Sequence, residues 1–169
     1  VRVVVFRPED CSVFATGGRD GRILIWDTRC NNNALTITKP ENSINNGHPI
    51  IAPRTPGSAK RYYKPADGTN SVTALVFQDD NTLISCGSGD GNIRAWDLRR
   101  NYSCCKKDPL PKHSIPYYGS SSKNGYSNLI LDKSKLKLYA NCMDHKIYCY
   151  NVGTYSVIPE QTYSGYNAS

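Results

Sequence analysis

The sequence predicts an all-β protein built from radially repeated antiparallel sheets. Three observations predict it. One block, residues 13–29, returns as residues 83–99 with its aromatic and charged positions in register. Each copy sits within a triplet of short apolar runs separated by turn residues, and a weaker third triplet follows. Nowhere in the 169 residues does a 3.6-residue apolar period last long enough to argue for a helix of useful length.

The elements follow in order. Residues 1–6 are almost wholly apolar and β-branched and read as a strand, Arg7-Pro8-Glu9-Asp10 as a turn, and residues 13–16 and 23–26 as two more strands. The second triplet places strands at residues 72–77, 83–86 and 92–96, with Gln78-Asp79-Asp80-Asn81 as its first turn. The third places them at residues 126–131, 136–140 and 146–150, around a turn at Asp132-Lys133-Ser134-Lys135. Three such sheets in succession favour a propeller over a sandwich. The intervals from Trp26 to Trp96 and from Trp96 to Tyr150 both exceed the roughly 40 to 45 residues of one four-stranded blade. The excess falls in the connections. Residues 39–70 form a basic, Pro-rich loop insertion and residues 100–124 a second loop, leaving blade cores at residues 1–29, 71–99 and 126–151. Residues 33–38 are expected to supply the outer fourth strand of the first sheet.

Asp20-Gly21 and Asp90-Gly91 suit tight reversals between second and third strands. The Trp six residues later, Trp26 or Trp96, needs a partner for its indole N–H once buried, and a buried carboxylate needs donors. This pattern resembles the WD40 family. That resemblance implies a seven-bladed propeller, of which this chain holds about three blades. It also implies a hydrogen-bonded chain of a His, the turn Asp, a hydroxyl of the second strand and the Trp. Thr16, Asp20 and Trp26 match that set. In the second copy Asp90 and Trp96 match, and the hydroxyl position falls on either Ser85 or Cys86. In the third copy Asp144 keeps its place, Ala140 takes the hydroxyl position, and Tyr150-Asn151 replaces Trp-Asp. No Gly-His pair directly precedes a first strand, since Gly47-His48 stands far ahead of Val72. The network is therefore expected to be partial and the third blade the least rigid.

Each copy of the block ends in Trp-Asp-x-Arg, with Arg29 and Arg99 three residues after the Trp. Within the WD40 group this resembles the box of substrate receptors for cullin-4 ubiquitin ligases. The resemblance assigns contact with the ligase adaptor, the large damaged-DNA-binding subunit, to Arg29 and Arg99, and with them to Asp27 and Asp97. Physically, an Arg just past a buried strand lies at the surface and presents five donors. Residues 11–31, 76–83, 96–102 and 125–132 narrow the resemblance to receptors for replication and cell-cycle proteins bound to the sliding clamp. This implies indirect association with chromatin and a place in the nucleus, with the cytoplasm as a second compartment. Gly153 stands three residues after Tyr150, so the third blade takes no part in the Arg contact. A general WD40 scaffold or chromatin-binding protein without a ligase role is the alternative.

Other features point away from chemistry in this chain. The formal charge of +7, from 21 Lys and Arg against 14 Asp and Glu, is too diffuse to diagnose nucleic-acid binding. No run of 18 apolar residues and no secretory leader pattern occurs, so a soluble, intracellular protein without membrane contact is expected. Val1 already lies in an apolar run with no initiator Met, and the chain reads as part of a longer protein. The seven scattered cysteines give no disulfide framework and no paired zinc spacing, so reduced thiols, no metal and no cofactor are expected. No Ser, His and Asp set stands out, and the chain reads as non-catalytic. Thr55-Pro56, within the basic loop, is a candidate proline-directed phosphorylation site.

Overall fold

A computed structural model describes residues 1–30, 38–49, 71–105, 108–119 and 124–165. Thr55 and the cationic residues 54, 60, 61 and 64 of the loop lie outside the described residues. Among the described residues, twelve strands form three four-stranded antiparallel sheets, each taken up in sequence order. Blade one comprises β1 (Val3–Arg7), β2 (Asp10–Gly17), β3 (Ile23–Asp27) and β4 (Asn42–Ile44). Blade two comprises β5 (Val72–Phe77), β6 (Thr82–Gly87), β7 (Asn92–Asp97) and β8 (His113–Pro116). Blade three comprises β9 (Tyr126–Leu131), β10 (Lys137–Cys142), β11 (Lys146–Asn151) and β12 (Gln161–Ser164). These are three blades of a WD40 β-propeller. Among the described residues no helix is long and apolar enough to cross a membrane.

The expected fourth strand at residues 33–38 is corrected. The strand lies at Asn42–Ile44, where Ile44 pairs with Ile23 and is fully buried, while Thr38 is irregular and the rest of that range lies outside the described residues. Its physical reason is burial: Asn42 and Ile44 alternate inward on one face, as a strand covering the edge of β3 requires. In blade two the fourth strand, β8, comes from within the stretch read as a second loop.

Burial records how the blades stack. Every residue of β6 is buried, because blade two is covered on both faces. In β10 burial alternates, because one face of blade three stays open. Val13, Ala15, Ile23 and Ile25 of blade one meet Leu75, Phe77, Leu83 and Trp96 of blade two in one apolar cluster. Ile84, Cys86, Ile93 and Ala95 face Leu138, Ala140, Tyr148 and Tyr150 of blade three in a second. Each full burial of a side chain such as Ile84 or Leu83 contributes about 1.5–3 kcal/mol. The Trp face of each blade thus looks back toward the blade before it. Trp26, with nothing described in front of it, remains partly exposed beside Phe14 and Leu24.

Candidate functional site

The turns between second and third strands share one construction. Asp20, Asp90 and Asp144 each accept a hydrogen bond from the backbone N–H two residues on, at 3.2, 3.2 and 3.1 Å. The residue after each Asp has a left-handed backbone, with φ of 76° at Gly21, 62° at Gly91 and 65° at His145. Asp-Gly was therefore legible as a turn, and His145 is the position where a side chain occupies a conformation that suits Gly.

Above that common turn the three blades differ. In blade two Trp96 Nε1 donates to Ser85 Oγ at 2.8 Å, Ser85 Oγ lies 2.7 Å from His48 Nε2, and His48 Nδ1 lies 3.0 Å from Asp90. With a hydrogen on Nδ1, each group in this chain donates once. The hydroxyl position is Ser85, not Cys86. Burial alone would raise the Asp90 carboxyl, but the hydrogen bond from His48, together with Arg94 at 3.3 Å, holds it below the ordinary carboxylate range. The network expected to be partial is complete here. His48 arrives from the end of blade one, and the insertion between it and Val72 lengthens the sequence without displacing the ring. Gly87 makes room for it, since a Cβ there would stand 2.8–3.0 Å from the His48 ring.

Ser85, His48 and Asp90 have the connectivity of a nucleophilic triad. They are 0, 1 and 5% exposed, and the Ser85 oxygen already accepts the Trp96 indole hydrogen, so no substrate reaches it. The arrangement is a structural strut.

In blade one Trp26 Nε1 donates to Thr16 Oγ1 at 2.9 Å, but Asp20 stands apart with its side chain 61% exposed, beside Arg22. This corrects its place in the network. In blade two the His precedes the first strand, whereas beside Asp20 the described residues bring only Arg22. In blade three Tyr117 and Tyr148 donate to Asp144 Oδ2 at 2.9 and 2.5 Å, and Tyr126 and Tyr150 join through their hydroxyls at 3.0 Å. Burial raises Asp144, yet these donors bring it below its ordinary value. Tyr117 stands ahead of β9 as His48 stands ahead of β5, and sequence reasoning missed both. Burial also pushes the Tyr150 hydroxyl up to about 12.

The second constellation is at the opposite end of the blades. Arg29 Nε and Nη2 donate to Asp27 Oδ1 and Oδ2 at 2.9 and 2.7 Å. Arg99 Nε and Nη2 donate to Asp97 at 2.8 and 2.8 Å. In both, the Arg backbone N–H also bonds the same carboxylate, at 2.9 and 3.1 Å. The residue spacing makes this fork: the Asp ends the strand, the next residue turns, and the Arg folds back two positions later. Arg29 reaches Asp10 at 3.2 Å as well. The Arg29 hydrogen bonds hold Asp27 down to about 2, and Asp97 lies well below its usual range for the same reason. The Arg29 and Arg99 side chains remain 60 and 67% exposed, presented but fixed. Asp27, Cys30 and Glu41 bring ligand atoms within 4.8 Å of one another, yet both Asp27 oxygens are engaged by Arg29. All seven cysteines are free, with Cys86, Cys142 and Cys149 buried.

The family model described as Nucleolar protein 10-like, N-terminal domain, a β-propeller, matches residues 2–154. The chain belongs to that family. It is also homologous to proteins named denticleless. Protein lethal(2)denticleless of Drosophila melanogaster is 53% identical over 171 residues, covering 98% of this chain and 22% of that protein. The denticleless protein homolog of Homo sapiens is 39% identical over 176 residues, covering 100% of this chain and 24% of that protein. That of Xenopus tropicalis is 38% identical, covering 100% and 25%. The chain thus spans about a quarter or less of the length of these relatives. A chain in the solved structure titled Crystal Structure of Mitotic Checkpoint Complex superposes with a TM-score of 0.64 at 15% identity, covering 98% of this chain and 37% of that one, which shows the fold.

Proposed function

We propose that this propeller segment belongs to a substrate receptor of a cullin-4 ubiquitin ligase and docks on the large damaged-DNA-binding adaptor through Arg29 and Arg99. The observation that carries this reading is the pair of matching Asp–Arg forks, repeated at the same end of two adjoining blades. A held but exposed guanidinium has already lost much of its rotamer freedom, which lowers the ordering cost of a contact. The kinship with denticleless proteins supports the finer statement. The receptor would recruit clamp-bound replication and cell-cycle proteins in the nucleus, meeting chromatin indirectly and leaving the ubiquitin chemistry to its partners.

The test is capture of the purified adaptor by the full-length protein carrying Arg29→Glu and Arg99→Glu. Loss of affinity by more than tenfold, about 2 kcal/mol for a central Arg hot spot, is expected. Full affinity with an intact fold would refute the reading and leave a general WD40 scaffold.

A further inference from the structure

We propose that the cleft between blades one and two, beside the Arg99 fork, receives an acidic side chain of the adaptor. This deepens the docking reading and rests on it. The cleft, about 240 Å³, is lined by Arg7, Glu41, Asn42, Arg99 and Arg100 together with the apolar edge of Ile25 and Leu98.

Its cations are differently committed. Arg99 spends Nε and Nη2 on Asp97, which leaves the Nη1 edge without a hydrogen bond among the described residues. Arg7 has a buried Nε with no hydrogen-bond partner, and its only ion pair among the described residues is a long 3.8 Å contact with Asp10. That buried Nε is closed to a partner as it is to water, so Arg7 meets the cleft through the rest of its partly exposed side chain, for which a carboxylate is the fitting acceptor. The Arg100 guanidinium has no ion pair among the described residues. Its backbone is held instead: Asn42 Nδ2 donates to the Arg100 carbonyl at 2.7 Å, and the Tyr102 N–H donates to Asn42 Oδ1 at 2.9 Å. Asn42 belongs to β4 of blade one, so one blade fixes the loop carrying the cations of the other.

Glu41 is the only acidic lining residue, and it forms no ion pair among the described residues. With Asp10 and Asp97 already engaged by Arg29, Arg7 and Arg99, the cleft offers two underused cations, Arg7 and Arg100, against one carboxylate. It is continuous with the Arg99 surface, so a partner seated on that Arg reaches it.

The experiment measures capture of the purified adaptor by the full-length protein. Arg7→Gln and Arg100→Gln are each expected to weaken capture about tenfold, the worth of a charge-assisted hydrogen bond, and to reduce its salt dependence. Arg19→Gln, at the other end of blade one, removes the same single charge and is expected to change nothing. Glu41→Gln removes the competing carboxylate and is expected to tighten capture. Unchanged affinity in Arg100→Gln, or unchanged or weaker capture in Glu41→Gln, overturns the proposal. If Arg29→Glu and Arg99→Glu abolish capture while the cleft variants do not alter it, the cleft fails and the docking reading stands. If those two leave capture intact, both fail.

Discussion

His48 Nε2 stands 2.7 Å from Ser85 Oγ although 37 positions separate the two residues. Blade two is therefore closed by a group that its neighbour delivers, and disturbing the shared oxygen has consequences on both sides.

Ser85→Ala leaves the Trp96 indole N–H and one His48 nitrogen buried without partners. A loss of about 2–3 kcal/mol is expected, from desolvated polar groups at about 1–3 kcal/mol each. Thr16→Ala strands only the partly exposed Trp26 and should cost about 1 kcal/mol. Urea unfolding of the full-length protein and the two variants measures the order, and equal losses would contradict it.

The stability contributed by Asp90 depends on acid. Its folded carboxyl titrates below its unfolded value of about 3.9, so the contribution is complete above that pH and fades as pH falls through the folded value. Unfolding midpoints at pH 7 and pH 3 should differ more for the parent protein than for Asp90→Asn. An identical acid loss in both would place the sensitivity elsewhere.

The forks should be indifferent to physiological pH. Asp27, held at about 2 by Arg29, keeps its charge throughout the range in which proteins are handled. Adaptor capture is expected to be flat between about pH 5 and pH 8. Asp27→Asn should weaken it without unfolding the blade, and by less than Arg29→Glu. A titration of capture centred near neutrality would point instead to a His.

Close backbone approaches set a further order. A Cβ at Gly125 would stand 2.2 Å from the Ser88 carbonyl oxygen, which cannot yield without parting blades two and three. At Gly87 it would meet the His48 ring. Gly125→Ala should destabilise by about 3 kcal/mol and Gly87→Ala by about 1–2 kcal/mol, within the range for overpacked sites. Thermal unfolding of the two variants gives the comparison.

Much of this was readable in the chain because strands and tight turns are local. The triplets 72–77, 83–86 and 92–96 lie almost where β5, β6 and β7 do, and Asp-Gly gave the turns. What escaped was non-local. Nothing near His48 announces that Ser85 lies beside it, and Asp20 has the same sequence context as Asp90 without the same partner. Ser85 and Cys86 are adjacent, and only strand register decides which faces Trp96: Leu83 pairs with Trp96, placing Ser85 on the same face. In blade three, tyrosines took over a role the motif assigns to His, hydroxyl and Trp. Tyr117 was invisible because its partner, Asp144, lies in the next sheet.

Gly87 has a role beyond fitting a ring. It pairs with Val72 in the β5–β6 ladder and also abuts His48, so the residues on either side of the insertion converge on one spot. The length of what joins them then hardly matters to the ring, since the cost of closing a connection grows only slowly with its length, by about 0.6 kcal/mol for each doubling. That makes the junction a natural graft point, where a folded tag or a foreign recognition module can be spliced in while the blades on either side remain in place.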